Sequence, residues 1–180
     1  HDVNGNVYDK HMNNGGIYMT ALRPEFEEVT GVARYQDVTV AGCFVYQVSR
    51  WGIAVGYTYA HEQFQGAELK EETFLKYGHE NIRICDNYVK AAGGDGITAM
   101  YALRPLIEHN MADSIACEIN DRIYCEPGER MGKVAAGIWP WKCKDALFCY
   151  NEVTDTRLNQ DGMAYDADSG DGTVYEYNYS

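Results

Sequence analysis

The stretch ITAMYALRPLIEHN, residues 97–110, decides how this chain is read. It contains the tetrapeptide ALRP, which also occurs at residues 21–24 within GGIYMTALRPEFEE. Both copies follow a glycine-rich lead and a short apolar-aromatic run, and both place a glutamate, Glu27 or Glu108, three residues after the proline. Proline is tolerated in the first turn of a helix, where its missing N–H would have no partner anyway. Glutamate in that turn complements the helix dipole. LRPEFEE and LRPLIEH therefore each predict a strand end passing into a helix, and two such units imply a mixed α/β architecture.

Working outward, residues 36–61, QDVTVAGCFVYQVSRWGIAVGYTYAH, are rich in Val, Tyr and Phe and read as two strands turning near Ser49–Trp51. Residues 68–92 change character. ELKEETFLKYG and HENIRICDNYVKAA hold helix formers, and Ile82, Cys85, Tyr88 and Val89 recur at helical spacing, predicting a helix that ends at Gly93-Gly94. IACEINDRIYC reads as a hairpin around Asn120-Asp121, a register that points Cys117 and Cys125 to opposite faces and directs each to another partner. The final TVYEYNYS reads as an alternating strand with Tyr175, Tyr177 and Tyr179 on one face. No Pro/Ser-rich linker divides the chain. Residues 1–180 are read as a single secreted domain of α+β class, with a mainly antiparallel sheet and two or three helices, stapled by disulfides.

Six cysteines, Cys43, Cys85, Cys117, Cys125, Cys143 and Cys149, carry the extracellular part of that reading. None lies in a C-x-x-C pair and the spacings suit zinc poorly, so structural bridges in an oxidising compartment are favoured over free buried thiols. The first residue, His1, fits a mature chain whose targeting segment has been removed. No run of apolar residues is long enough for a membrane span. The formal charge of −12 opposes binding to a nucleic-acid backbone, because no counterions would be released in exchange. A protein or glycan on a target-cell surface is the expected partner, with a companion subunit or a second copy as further possibilities, the latter through the terminal tyrosine strand.

Several residues are chemical candidates. Trp139 and Trp141, flanking Pro140, form the first binding patch, since aromatic side chains give large contact area at low entropic cost. No cofactor is called for, with copper or calcium as the alternatives. His1 offers an amino nitrogen and a ring nitrogen together, a chelate for copper if His61, His11, His79 or His109 completes it. In this His1 resembles the start of the copper-dependent lytic polysaccharide monooxygenases. YTYAHEQF sets Tyr57, Tyr59 and His61 on one strand face with Glu62 and Glu68 close by, an acid–base hydrolase alternative. That piece resembles small secreted fungal ribonucleases, which would need His109 and Arg104 on the same sheet. The loop DGMAYDADSGDG clusters Asp161, Asp166, Asp168 and Asp171 among glycines, oxygen-rich as a calcium site is, though not in EF-hand spacing. Asn178-Tyr179-Ser180 is a glycosylation sequon.

In the second half, the order LIEHN as helix, IYCEPGER as paired strand and DGTVYEYNYS as last strand resembles the small secreted fungal killer toxins of the smut-fungus type and related effectors. That resemblance implies an α/β sandwich with two split βαβ units and several disulfides. It also implies a toxin- or effector-like protein that binds a target-cell surface component without catalysis. The chain departs from the family in being acidic and in lacking a Cys-Gly-Ser element, so the family's basic functional residue is not carried over, Lys133 being the nearest candidate.

Overall fold

The computed structural model describes residues 15–66, 69–116, 135–156 and 162–180. Within them the chain winds in successive coils, the first four of which each contribute to all three sheets. The first coil comprises β1 (Gly15–Ala21), β2 (Gln36–Ala41) and β3 (Phe44–Val48). The second holds β4 (Trp51–Thr58), β5 (His79–Cys85) and β6 (Tyr88–Ala92). The third holds β7 (Ile97–Met100), the short β8 (Ala102–Leu103), β9 (Leu106–Glu108) and β10 (Met111–Ile115). The fourth holds β11 (Ile138–Trp141), β12 (Leu147–Cys149) and β13 (Glu152–Thr156). A fifth coil adds β14 (Val174–Glu176), with isolated bridges from Tyr165, Asp171 and Tyr179.

Every strand pairing among these is parallel. The first sheet runs β1-β4-β7-β11, the second β2-β5-β9-β12-β14 with β8 beside β5, and the third β3-β6-β10-β13. The result is a three-sided parallel β-helix, and it overturns the antiparallel sandwich. Two short helices interrupt it: α1 (Glu27–Thr30), a single turn after the first ALRP, and α2 (Glu71–Tyr77).

In-register coils place equivalent residues one strand spacing apart, roughly 4.8 Å, so the interior is built from columns of like side chains. Ile17, Ile53, Ile97 and Ile138 stack behind the first sheet. Val40, Ile84, Ile107, Phe148 and Tyr175 stack behind the second. Val45, Val89, Ala112 and Val153 stack behind the third. Most of these side chains are buried.

The corner between second and third sheets carries an asparagine ladder. Asn87 Nδ2 donates to Asn110 Oδ1, Asn110 Nδ2 to Asn151 Oδ1, and Asn151 Nδ2 to Asn178 Oδ1, at 2.9, 3.0 and 3.0 Å. Each Oδ1 also accepts the backbone N–H of the preceding ladder residue, and each Nδ2 also donates to a carbonyl one coil back. In the first coil Cys43 occupies this position, its N–H donating to Asn87 Oδ1. The residue before each asparagine, Asp86, His109, Tyr150 or Tyr177, is left-handed, with φ between 53° and 57°.

This geometry explains where the expected elements fail. LIEHN is not a helix: Ile107 points inward from β9, His109 turns the corner and Asn110 joins the ladder. The helix expected through Val89 is β5 and β6. Residues 36–61 hold three strands, because a corner at Gly42-Cys43 precedes the one at Ser49-Arg50. TVYEYNYS is not one flat strand, since Tyr175 packs inward on Phe148 at 4.8 Å while Tyr177 and Tyr179 are exposed. The Asn120-Asp121 hairpin lies outside the described residues.

The disulfide framework is overturned as well. Cys43, Cys85, Cys143 and Cys149 are free thiols. Cys85 and Cys149 end β5 and β12 with Glu108 of β9 between them in register. Two strand spacings amount to roughly 10 Å, beyond the ~7 Å Cα limit for a bridge. Cys143 is buried and donates to Ala99 O. Cys117 and Cys125 lie outside the described residues.

Candidate functional site

With the isoleucine column inside, the outer side of the first sheet receives the alternate positions. Tyr18, Ala54, Thr98 and Trp139 form one register row there, and Met100 and Trp141 begin the next. Pro140 separates the two tryptophans, points inward and lacks an N–H. It is accommodated because β11 pairs with β7 on one side, and beyond its other edge the described residues offer only the bridge at Ile138. Trp139 and Trp141, singled out from the sequence, thus project outward together.

They belong to a continuous aromatic wall. Trp51 and Trp139 stack at 6.4 Å with planes 23° apart, and Trp139 meets Trp141 edge-on at 6.0 Å and 76°. Trp141 Nε1 donates to the Tyr101 hydroxyl at 2.9 Å. Tyr101 meets Tyr57 edge-on at 6.0 Å, and Tyr57 stacks on His61 at 5.9 Å. Burial pushes the Tyr101 hydroxyl up to about 12 and that of Tyr18 higher still, so both phenols stay neutral at ordinary pH. The far end of the wall carries charge, with the Arg50 guanidinium 4.7 Å above the Trp51 ring. Next to it Asp95, only 2% exposed, accepts hydrogen bonds at Oδ1 from Ala136 N–H at 3.0 Å and from Trp139 Nε1–H at 2.9 Å. Burial lifts the Asp95 carboxyl to about 6, against the pull of those donors and of Arg50.

His61 sits in a 3₁₀ turn, His61–Phe64, after β4, and its buried Nδ1 has no hydrogen-bond partner. Glu62 beside it is exposed, and Glu68 lies outside the described residues. Tyr59 has left the strand: its hydroxyl accepts the Ala33 N–H and Arg23 lies 5.0 Å over its ring. Arg104, between β8 and β9, is bonded to Glu71, while His109 stacks on Tyr150 at the corner between second and third sheets. The ribonuclease-like grouping is therefore not assembled.

The metal candidates among the described residues lie apart, and Asp161 lies outside the described residues. His1 and His11 lie outside the described residues. His79 is fully buried, with Nδ1 accepting Tyr35 N–H and Nε2 donating to Gly56 O, and burial lowers its pKa to about 4. The approach needs glycine: at φ 104° a Cβ on Gly56 would lie 2.3 Å from Met100 O and 2.7 Å from the His79 ring. Asp171 pairs with Lys144, and the Asp166 and Asp168 carboxylates bond Ala167 N–H and Ser169 Oγ–H. Among the described residues no group of three or more His, Cys, Asp or Glu is placed to hold a metal. None of their helices is long and apolar enough to cross a membrane.

The sequence reading missed Asp95, Tyr101, Arg50 and Tyr18. Their membership depends on lateral stacking of coils, and no local motif announces it. Partly exposed indole faces, held in place by their own N–H bonds to Asp95 and Tyr101, suit ligands with apolar C–H faces, sugars among them.

No family model matches the chain. Over its whole length it is 49% identical, across 197 aligned positions, to a lacto-N-biosidase of Bifidobacterium longum subsp. longum, of which it covers 12%. Two crystal structures of the GH136 lacto-N-biosidase from Eubacterium ramulus, one native and one a selenomethionine derivative, match 98% of the chain. Each does so with a TM-score of 0.89 and 67% identity. The chain covers 28% of each of those proteins, so it spans a minor part of the relatives it matches. These likenesses overturn the killer-toxin resemblance and the non-catalytic reading drawn from it. The similarity runs to glycoside hydrolases, which favours the hydrolase alternative.

Proposed function

We propose that this chain is the β-helical part of a glycoside hydrolase that releases lacto-N-biose from oligosaccharides, and that the wall from Trp51 to His61 receives the sugar. The observation that carries this is the aromatic wall, with each outward indole tied by its N–H, in a chain similar throughout to lacto-N-biosidases. Trp139 and Trp141 offer faces to the sugar C–H surfaces. The His61 ring, stacked on Tyr57, closes the wall's end. Hydrolysis of this class uses paired carboxylates. Asp95 is held against the wall by Ala136 and Trp139 and acts there as a structural acceptor. Glu62 is the acid–base candidate beside His61.

An extracellular setting rests on the substrate class and no longer on cysteines, because an oligosaccharide carries too many hydroxyls to cross a bilayer unaided. The test is titration of lacto-N-biose into the chain followed by tryptophan fluorescence, alongside release of the disaccharide from a chromogenic lacto-N-bioside. Trp139→Ala with Trp141→Ala is expected to weaken binding at least tenfold while far-UV circular dichroism stays unchanged, and His61→Ala to weaken it several-fold. Undiminished binding in the folded double variant would remove the wall as the site. Failure of the unaltered chain to bind any lacto-N-biose would remove the functional reading itself.

A further inference from the structure

Asp95 lies outside every motif in the sequence, yet it joins two coils and one wall residue. It sits in the corner between β6 and β7, where Gly52 N–H donates to its backbone carbonyl at 2.9 Å. Its Oδ1 reaches one coil onward to Ala136 N–H and sideways to the Trp139 indole. Arg50 occupies the equivalent corner one coil back and lies over Trp51, which stacks on Trp139. Trp139 is therefore held on three sides: by Trp51 against a face, by Trp141 edge-on, and by Asp95 at its nitrogen. Of these, only the hydrogen bond is directional and so selects one setting of the Trp139 side-chain torsions, because ring contacts tolerate sliding. The backbone N–H of Ala136 fixes the carboxylate in turn, so the orientation of Trp139 is set by the coil geometry itself.

We propose that Asp95 is a positioning residue that locks the Trp139 indole as a preorganised stacking surface for the sugar. This deepens the functional reading above and rests on it. Preorganisation raises affinity by removing the entropy that a free indole would lose on binding. Because Asp95 acts before the sugar arrives, its loss weakens binding of ground state and transition state alike. It therefore raises KM and leaves kcat alone. An acceptor oxygen is all the role requires, so Asp95→Asn, which keeps Oδ1, retains it, and Asp95→Ala does not.

The experiment compares the full chain with Asp95→Asn, Asp95→Ala and Trp139→Phe. It records the Trp139 indole N–H by nitrogen-15 NMR and titrates each protein with lacto-N-biose. Asp95→Ala is expected to move the Trp139 N–H resonance, speed its solvent exchange at least tenfold and weaken sugar binding five- to fiftyfold. Asp95→Asn should stay within threefold of the unaltered chain in both measurements. Trp139→Phe, which keeps a ring and deletes the donor, should weaken binding as Asp95→Ala does, and carries the test if Asp95→Ala does not fold. An unmoved N–H in folded Asp95→Ala overturns the proposal, as does binding by Asp95→Ala or Trp139→Phe equal to that of the unaltered chain. A chain that binds no sugar while its indole still responds to Asp95→Ala removes the functional reading and with it the positioning role.

Discussion

Tyr150 holds a bulky side chain at φ 55°, a left-handed conformation that costs an L-residue roughly 1–2 kcal/mol relative to glycine. Its ring explains why it is there. Tyr150 lies nearly parallel to His109 on one side, at 5.0 Å and 6°, and to Tyr177 on the other, at 5.3 Å and 8°. All three are exposed corner residues stacked along the helix axis. Each stacked pair contributes about 0.5–1.5 kcal/mol. Tyr150→Ala loses both pairs and keeps the strained backbone, so it is expected to lower stability by roughly 1–3 kcal/mol. Tyr150→Gly loses the same pairs but relieves the strain. The glycine variant should therefore be the more stable of the two in urea denaturation. An alanine variant equal to or above it would show that no strain is stored at this corner.

At the scale of the element, the corner matters more than the strand. Asn151 satisfies groups from the coils on either side of its own: it accepts from Asn110 N–H and Nδ2, and donates to Ile107 O and Asn178 Oδ1. Asn151→Ala leaves several buried polar groups unpaired at about 1–3 kcal/mol each and is expected to cost more than 3 kcal/mol. Asn178, at the last rung, satisfies three groups to Asn151's four and is only partly buried, so Asn178→Ala should cost less in the same denaturation experiment. Equal losses would contradict a ladder that grows stronger inward. These corners also decide what was legible beforehand. ELKEETFLKY announced α2, and the Val- and Tyr-rich run announced strands, because propensity and burial agree there. The spacing of Ile82, Cys85, Tyr88 and Val89 mimicked a helix for a physical reason. Ile82 and Ile84 face inward with strand period, the corner at Asp86-Asn87 then turns the chain, and Val89 faces inward again. Alternation interrupted by a corner imitates a 3.6-residue period. The asparagines recur 23, 41 and 27 residues apart because loops of unequal length leave the coils, so no fixed repeat reveals the solenoid. Trp139 and Trp141 were legible as a patch since β-alternation about Pro140 is local. Asp95 and Tyr101 were not, because their partners lie 44 and 40 residues away.

At the scale of the whole molecule, columns and ladders replace the covalent staples expected from the cysteines. A reductant should leave the described coils unchanged, and a thiol reagent should reach Cys43, which is partly exposed, well before Cys143. Cys143 is buried and its thiol is raised to about 12, so it should react only on unfolding; rapid native labelling there, read by mass spectrometry, would contradict the packing. Acid stability is likewise a property of the whole, because two buried groups oppose each other. Asp95 is raised from 3.8 to about 6, so the folded state binds a proton more readily than the unfolded chain. Its contribution is fully present below the unfolded value and is lost as pH rises through 6. His79 is lowered from 6.5 to about 4, so its contribution is present above 6.5 and is lost as pH falls toward 4. Converted at 1.36 kcal/mol per pH unit of displacement, each effect amounts to roughly 2–3 kcal/mol between pH 7 and 4, with opposite sign. The two nearly cancel, leaving the net change across that range to the remaining carboxylates, among them Asp113, which Lys90 holds below its usual range. Asp95→Asn removes one side of the balance: its stability is expected to fall by roughly 2–3 kcal/mol from pH 7 to pH 4, measured by urea denaturation at each pH. A flat profile in Asp95→Asn would mean that His79 takes up its proton without cost, and that the fold does not depend on the neutral imidazole between Tyr35 and Gly56.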